Sequence, residues 1–431
     1  MRPSLLTIAP FTIEPMRPPR RRRRALRAGV IIAASAIVFT GGMGAGVGLD
    51  RGGALDHGGS VETGGAEFDL IRQAWDLLES EYVGARDLDE RDLAYGAIEG
   101  MTEAVGDTGH TDFMDPEERR SRGDALSGRY VGIGISVQEV PGQILVDEIF
   151  AGGPAAAAGL RGGDRIVTID GRPVDAADID GVFEAIRGEA GTTVVLGLSG
   201  ADGELFEATI TRAVIDVPAV AWSLVPGTTI ADIALGRFQT GAADELEAAI
   251  SAAKAKGATG FVLDLRGNGG GYTIEAIGVA SQFLRAGVVY ETEDARGTRT
   301  PFTTDPERVA IDLPLVVLVD ESTASSAEIV AGALKDHGRA TIVGQTTFGT
   351  GTVLGEYGLT DGSALRIGTV NWLTPKGTLI WHEGIAPDEV IARPDGSLAV
   401  RPDRLTTLSS DGQAASGDSQ LLRAIEILAE S

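Results

Sequence analysis

No cysteine occurs anywhere in the 431 residues, which excludes disulfide bridges, thiolate metal sites and a cysteine nucleophile. An extracytoplasmic home stays open, because lack of disulfides only withholds support for one. Nitrogen bases are also scarce. Lysine occurs at 254, 256, 335 and 376 only, and histidine at 57, 110, 337 and 382 only. No grouping of His, Asp and Glu has ligand spacing, so neither a metal nor an organic cofactor is expected. Positive charge is in deficit overall, with a formal net charge of −25. That composition implies a solvated acidic surface and argues against nucleic-acid binding, which needs clustered cations.

The N-terminus departs from this pattern. Arg2, Arg17, Arg20 to Arg24 and Arg27 stand against Glu14, giving residues 1–27 a net +7 and leaving −25 − 7 = −32 for the rest. Residues 28–49 then run without a charge, long enough to span a bilayer as one helix. A basic flank before an apolar run predicts a cytoplasmic segment 1–27 and a transmembrane signal anchor 28–49. The glycine-rich end of that run lacks an A-x-A site, which favours an uncleaved anchor over a cleaved signal peptide. The expected location is therefore the cell membrane, single-pass, with the remainder extracytoplasmic. Residues 50–65 are Gly-rich and polar, a flexible linker.

Beyond the linker, apolar spacing predicts helices over 68–78 and 90–105, followed by the turn Gly-Asp-Thr-Gly-His110-Thr-Asp-Phe-Met-Asp-Pro. Alternation over 130–137 and a run at 144–149 read as strands, with a helix at 176–187 and further strands at 193–198 and 204–211. From residue 214 strands alternate with helices: 229–235 strand, 242–255 helix, 260–266 strand, then Gly267-Asn-Gly-Gly-Gly271 opening a helix that runs to 283. That glycine loop has neither a following Lys-Ser/Thr nor a GxGxxG pattern, so it is not a nucleotide cradle. A strand-like stretch at 364–374, a Pro-Lys-Gly turn, a polar linker from 409 and a helix at 419–429 finish the chain.

The chain is organised around residues 313–352, LPLVVLVDESTASSAEIVAGALKDHGRATIVGQTTFGTGT. Here a short buried strand (315–319) leads through small residues into a helix (326–336), placing Ser325 at a helix N-terminus. Backbone N–H groups there favour a developing negative charge, which a serine attacking an amide requires. Ser325-Ser-Ala-Glu328 equally fits a capping box.

The block TASSAEIVAGALKDHGRATIVGQTTFGTG resembles the signature of the carboxyl-terminal processing peptidases, PDZ-containing serine peptidases related to the tricorn core proteases. The resemblance extends over about residues 66–430. It implies a multidomain α+β protein: a helical N-terminal region (66–123), a β-rich PDZ domain (124–213), an α/β core of crotonase/ClpP-like fold (214–405) and a linker with C-terminal helix (406–431). By the same resemblance Ser325 is the nucleophile. DLRGNGGG would supply one oxyanion N–H from Gly270 or Gly271, and Ser326 the other. Tyr130, Val131, Gly132, Ile133 and Gly134 match the PDZ carboxylate-binding loop, whose glycines let backbone N–H groups face a peptide terminus. Arg187, on the flanking helix, is either an added charge there or an exposed helix residue.

One position breaks the pattern. The family's base is a lysine in TFGKG with a glutamine four residues later; here those positions hold Thr350 and Leu354, neither of which accepts the serine proton. Lys335 and His337 lie ten and twelve residues along the helix from Ser325, ~15–18 Å away, out of reach. Lys376 at the Pro-Lys-Gly turn is a surface lysine or, if desolvated, a base. The tricorn core proteases use a histidine from the helical region and a downstream glutamate, features that map onto His110 and Glu383. His110 is then a base or a turn residue, and stays level with Lys376. The expected function is a membrane-anchored serine endopeptidase that captures protein C-termini. The alternative is a catalytically inactive peptide-binding adaptor. A homo-oligomer is left open.

Overall fold

The computed structural model describes residues 65–430 except 108–109, 141, 151, 176–178, 201–202, 309–310, 394–398 and 406–416. The expected cytoplasmic segment, the membrane anchor and the linker up to residue 64 lie outside the described residues. Among those that are described, no helix is long and apolar enough to cross a membrane.

The chain begins with α1 (Ala66–Glu81), α2 (Glu90–Val105), the short strand β1 (Asp112–Met114) and α3 (Pro116–Ser127). Helix α2 starts at Asp89, which caps it through the Arg91 and Asp92 N–H groups, and stops at the left-handed Gly106. Helix α3 opens on Asp115 and Pro116 with a complete capping box to Glu118.

A β-rich unit follows: β2 (Arg129–Gly132), β3 (Ile135–Val140), β4 (Gln143–Ile149), α4 (Pro154–Ala157), β5 (Arg165–Ile169), β6 (Arg172–Pro173), α5 (Ile179–Ile186), β7 (Thr193–Ser199), β8 (Leu205–Thr211) and β9 (Ala213–Asp216). Its antiparallel sheet runs β3-β4-β5-β7-β8 with β6 on β5. The expected strand over 130–137 is interrupted at Ile133 and Gly134. Strand β2 leaves the sheet and pairs with β9 instead, Tyr130 opposite Ile215. The unit is thus held on a two-stranded stalk where the chain enters and leaves it. Its core is aliphatic, built from Ile144, Val146, Val194, Leu196 and Leu198 among others.

The remaining elements are β10 (Val220–Leu224), β11 (Ile230–Leu235), α6 (Ala242–Ala255), β12 (Gly260–Asp264), α7 (Thr273–Ser281), β13 (Val288–Glu293), β14 (Arg299–Thr303), β15 (Leu315–Val319), α8 (Ser326–Asp336), β16 (Thr341–Gly344), β17 (Thr352–Gly358), β18 (Ala364–Leu373), β19 (Glu389–Val390), α9 (Pro402–Leu405) and α10 (Ser419–Ala429). The central sheet has the order β10-β11-β12-β15-β16-β19, parallel from β11 onward with β10 antiparallel at the edge. Both of its faces are covered, which is why its strands read as unbroken apolar runs. Leu315, Val317 and Val319 point into the core shared with α6, α7 and α8. Val316 and Leu318 point the other way, against Leu405, Leu421 and Ala424 of α9 and α10. Beyond α8 lies a second sheet, β1-β18-β13-β14, with β17 also on β18. Strand β1 joins it by pairing Asp112 with Arg366, so the helical region is stitched into the core.

Candidate active site

Parallel α/β sheets present their sites at the carboxyl ends of the strands, and three adjacent strands deliver loops there. After β15 comes Ser325; after β12, the glycine loop 267–271; after β11, Phe238. Backbone hydrogen bonds fasten the three together: Ala324 N–H to Asn268 O (2.9 Å), Phe238 N–H to Gly270 O (3.0 Å) and Tyr272 N–H to Phe238 O (2.7 Å).

Ser325 sits at φ 59°, ψ −121°, a conformation costly for any residue with a Cβ. A strained strand-to-helix turn of this kind holds a nucleophile clear of its own backbone. Its N–H donates to Glu328 Oε2 (2.8 Å), so one arm of the expected capping box forms. On the other arm Ser325 Oγ faces the Glu328 N–H but is buried and makes no hydrogen bond. Gly270 explains its own identity, since a Cβ there would lie 2.7 Å from Ser325 Cβ. The Gly270 N–H is already committed to Asn268 Oδ1 (2.8 Å), while Asn268 Nδ2 donates to Leu235 O (2.7 Å). Gly270 therefore drops out as an oxyanion donor and Gly271 remains. Among the described residues, the Gly271 and Ser326 N–H groups have no partner, and Ser326 Oγ donates to Gly271 O (3.0 Å) to keep them side by side. Two free N–H groups at a helix start can stabilise an oxyanion.

Glu328 is the strut of the site. Its carboxylate accepts from Ser325 N–H and Thr350 N–H (2.9 Å) on one oxygen, and from Thr347 Oγ (2.5 Å) and Gly349 N–H (2.7 Å) on the other. Burial pushes the Glu328 carboxyl above the usual carboxylate range, and these four donors oppose the rise. One side chain thus fixes the loop 347–350 beside Ser325. Thr350 is buried there, and its carbonyl accepts from Trp372 Nε1. Leu354 is fully buried in β17. Neither position offers a base.

The two expected candidates for the base part company. Lys376 is exposed, its backbone N–H on Asp336 (2.8 Å) at the last turn of α8. That is the far end of the helix from Ser325, roughly 16 Å at 1.5 Å per residue, so Lys376 is not brought to the site. His110 is buried, with Nδ1 3.0 Å from Asp107 Oδ1. A carboxylate only accepts, so Nδ1 carries the proton. The opposite nitrogen, Nε2, is buried without a partner. The imidazole lies edge-on to Phe348 (6.3 Å between centroids) and beside His382 (6.1 Å). Phe348 belongs to the loop that Glu328 holds against Ser325. Glu383 is exposed and makes no hydrogen bond or ion pair with His110 among the described residues; the carboxylate beside the imidazole is that of Asp107. The sequence reading missed both Asp107 and Asn268. A carboxylate three residues before a histidine, and an amide between glycines, were the signals.

In the β-rich unit, the Ile133 and Gly134 carbonyls accept from Ala155 N–H (2.8 Å) and Phe150 N–H (3.0 Å), shaping the turn between β2 and β3. Tyr130 packs on Phe150 (6.3 Å), its hydroxyl buried without a partner. Burial pushes that phenol up to about 12, and the nearby Arg187 charge opposes the rise. Arg187 itself is exposed, lying over Phe183 (5.8 Å).

Comparison with known proteins identifies both units of the chain. The profile of peptidase family S41 matches residues 229–391, and a PDZ-domain profile matches residues 145–198. The carboxy-terminal processing protease CtpA of Bacillus subtilis is 34% identical over 82% of this chain and 74% of its own length. The carboxyl-terminal-processing protease of Synechocystis is 36% identical over 76% of this chain and 77% of its own. The chain belongs to the carboxyl-terminal processing proteases of family S41. It is a serine-type peptidase by membership, carrying a PDZ domain and an S41 core. A solved Bacteroides fragilis structure assigned to the S41 proteases, 18% identical, shares the fold over 82% of this chain and 96% of that one, with a TM-score of 0.53.

Proposed function

We propose that this protease is a membrane-anchored, extracytoplasmic endopeptidase that captures a protein C-terminus on its PDZ loop and cleaves with Ser325, using His110 as base in place of the missing lysine. The observation that carries the reading is a pair of orphans. Ser325 Oγ and His110 Nε2 are both buried and unpartnered, and Asp107 fixes the imidazole in the accepting tautomer. They are not bonded to each other, and catalytic hydrogen bonds often tighten only when substrate is bound. In the reaction, His110 Nε2 takes the Ser325 proton as Oγ bonds to the carbonyl carbon. The oxyanion meets the Gly271 and Ser326 N–H groups, and the imidazolium is steadied by Asp107. The C–N bond then breaks as Nε2 returns its proton to the leaving amine, and water releases the acyl group. Residues 1–27 and 28–49 support the anchoring, as a basic flank before an uncharged run.

Turnover of a peptide with a free apolar C-terminus is the test. Ser325→Ala and His110→Gln should each remove at least ~10³-fold of the rate, and Asp107→Asn ~10²–10⁴-fold, with Lys376→Ala unchanged. Full turnover by His110→Gln would reject the base. A second reading, a catalytically inactive peptide-binding adaptor, is favoured by Thr350 and by the missing Ser325–His110 bond. It predicts saturable peptide binding, no turnover and no labelling of Ser325 by a fluorophosphonate. Retention of the full chain in membranes after alkaline extraction, and its release on deletion of residues 28–49, tests the anchor.

A further inference from the structure

Beside the glycine loop is a cavity of about 570 Å³, lined by Arg119, Arg120, Arg122, Tyr272, Glu356 and Asp361 among others. Tyr272 is its link to the site, two residues beyond the glycine that faces Ser325, a span of at most ~7 Å. The charges around this space do not balance. Arg119 Nε is satisfied by Glu356 (2.8 Å). Asp112 is occupied by Nε and Nη2 of Arg366, and Asp361 by Tyr95 and Ser363. Arg122 makes no hydrogen bond: its Nε and Nη2 are buried without a partner, and Asp112 and Glu356 act on it only through space. Arg366 Nη1 is buried and unpartnered too. Arg237, half-buried next to Phe238, makes no ion pair among the described residues.

Arg119, Arg120 and Arg122 line the cavity with Glu356 and Asp361, and Arg237, Arg366 and Asp112 act on Arg122 from nearby, five arginines to three carboxylates. This surplus of positive charge occurs in a chain whose formal net charge is −25. Burial, with the like charges of Arg366 and Arg237, brings the Arg122 guanidinium down to about 9, against the pull of Asp112 and Glu356. Guanidinium nitrogens buried without a partner are costly, and the planar fork of donors suits a carboxylate.

We propose that this cavity is a carboxylate subsite of the protease, with Arg122 as the direct ligand and Arg237 and Arg366 supplying surrounding charge. Its occupant is an acidic group of the bound peptide within a few residues of the scissile bond. The inference rests on the peptidase reading above for the identity of the ligand as substrate. Two carboxylates share this chemistry, an Asp or Glu side chain and, for a peptide whose terminus is not held on the PDZ loop, the terminal carboxylate.

The test uses the full chain carrying Ser325→Ala, and measures peptide binding by fluorescence anisotropy. One peptide series exchanges Glu for Gln at each position flanking the cleavage site; a second compares a free with an amidated C-terminus. Cleavage of the same peptides by the wild type is followed in parallel. An acidic side chain at one position should tighten binding about ten-fold or more, and Arg122→Gln should collapse that ratio to within about two-fold. If the terminal carboxylate is the occupant, Arg122→Gln collapses the free-to-amide ratio instead. Arg237→Gln should shrink the same ratio and serves if Arg122→Gln does not fold. Ratios near one throughout, or ratios untouched by both variants, overturn the subsite. Cleavage without acid preference leaves the peptidase standing and removes the subsite. Acid-dependent binding without Ser325-dependent cleavage does the reverse.

Discussion

Replacing Glu328 by glutamine tests how the site is held together. One oxygen of this carboxylate serves Ser325 N–H and Thr350 N–H, the other Thr347 Oγ and Gly349 N–H. An amide keeps one acceptor and turns an N–H₂ toward two former donors. In the cheaper orientation Thr347, whose Oγ already accepts from Ile385 N–H (2.7 Å), rotates to accept the amide as well, which strands the Gly349 N–H and leaves the Thr347 O–H without its acceptor. A stranded buried donor costs about 1–3 kcal/mol, and the surviving bonds lose their charge assistance. The expected destabilisation is about 3 kcal/mol, a fall in Tm of roughly 6–12 °C for a core of this size. Trp372 is a fitting reporter, because its indole N–H donates to the Thr350 carbonyl and it is fully buried. Urea unfolding would be followed by tryptophan fluorescence, reading the transition of the core separately from that of the PDZ domain. Turnover should fall with stability, since the Ser325 N–H and the loop 347–350 lose their common anchor. A loss below about 0.5 kcal/mol would refute the reasoning. It would mean that burial has already placed a proton on Glu328, making glutamine its isostere.

Two further expectations concern stability. Ser325→Ala removes a buried hydroxyl with no partner and should leave stability unchanged or raise it by about 1 kcal/mol. Ser325→Gly also relieves the φ of 59° and should gain roughly as much again; a clear loss in either variant by thermal denaturation would show that Oγ is bonded after all. Asp232 is fully buried with both carboxylate oxygens unpartnered. Burial, then the neighbouring Asp264 charge, raises its carboxyl well above the ordinary range, against Arg266 and Arg401. A raised carboxyl contributes stability that is complete below its unfolded value, about 3.9, and lost as pH climbs through the folded one. Asp232→Asn should therefore gain on the wild type as pH rises from about 4, by up to ~1.4 kcal/mol per unit. A pH-independent difference between the two denaturation series would contradict this.

Local pattern determined a good deal of this protein. The run at 315–319 and the spacing over 326–336 fixed β15 and α8 to the residue, and with them Ser325 at the helix start. Helices over 90–105, 242–255 and 419–429 were equally legible, because caps and 3.6-residue periodicity are properties of neighbouring residues. Strands β13, β14 and β17 were not. They are short and partly polar, and β14 carries Pro301 at a sheet edge. Their pairing partners supply the stability that their own sequence does not announce.

The separation of the two candidate bases belongs to the tertiary structure alone. Sequence left His110 and Lys376 level, each a nitrogen base on a turn. The pairing of β1 with β18, across some 250 residues, carries His110 inward against Phe348. The eleven-residue α8 carries Lys376 to the opposite end from Ser325. The unpaired guanidinium of Arg122 emerges in the same way. A charge deficit is visible only once the carboxylates that might have answered it are seen to be engaged elsewhere. Distance along the chain encodes helices and turns, whereas the meeting of two distant side chains is set by packing, which no single stretch contains.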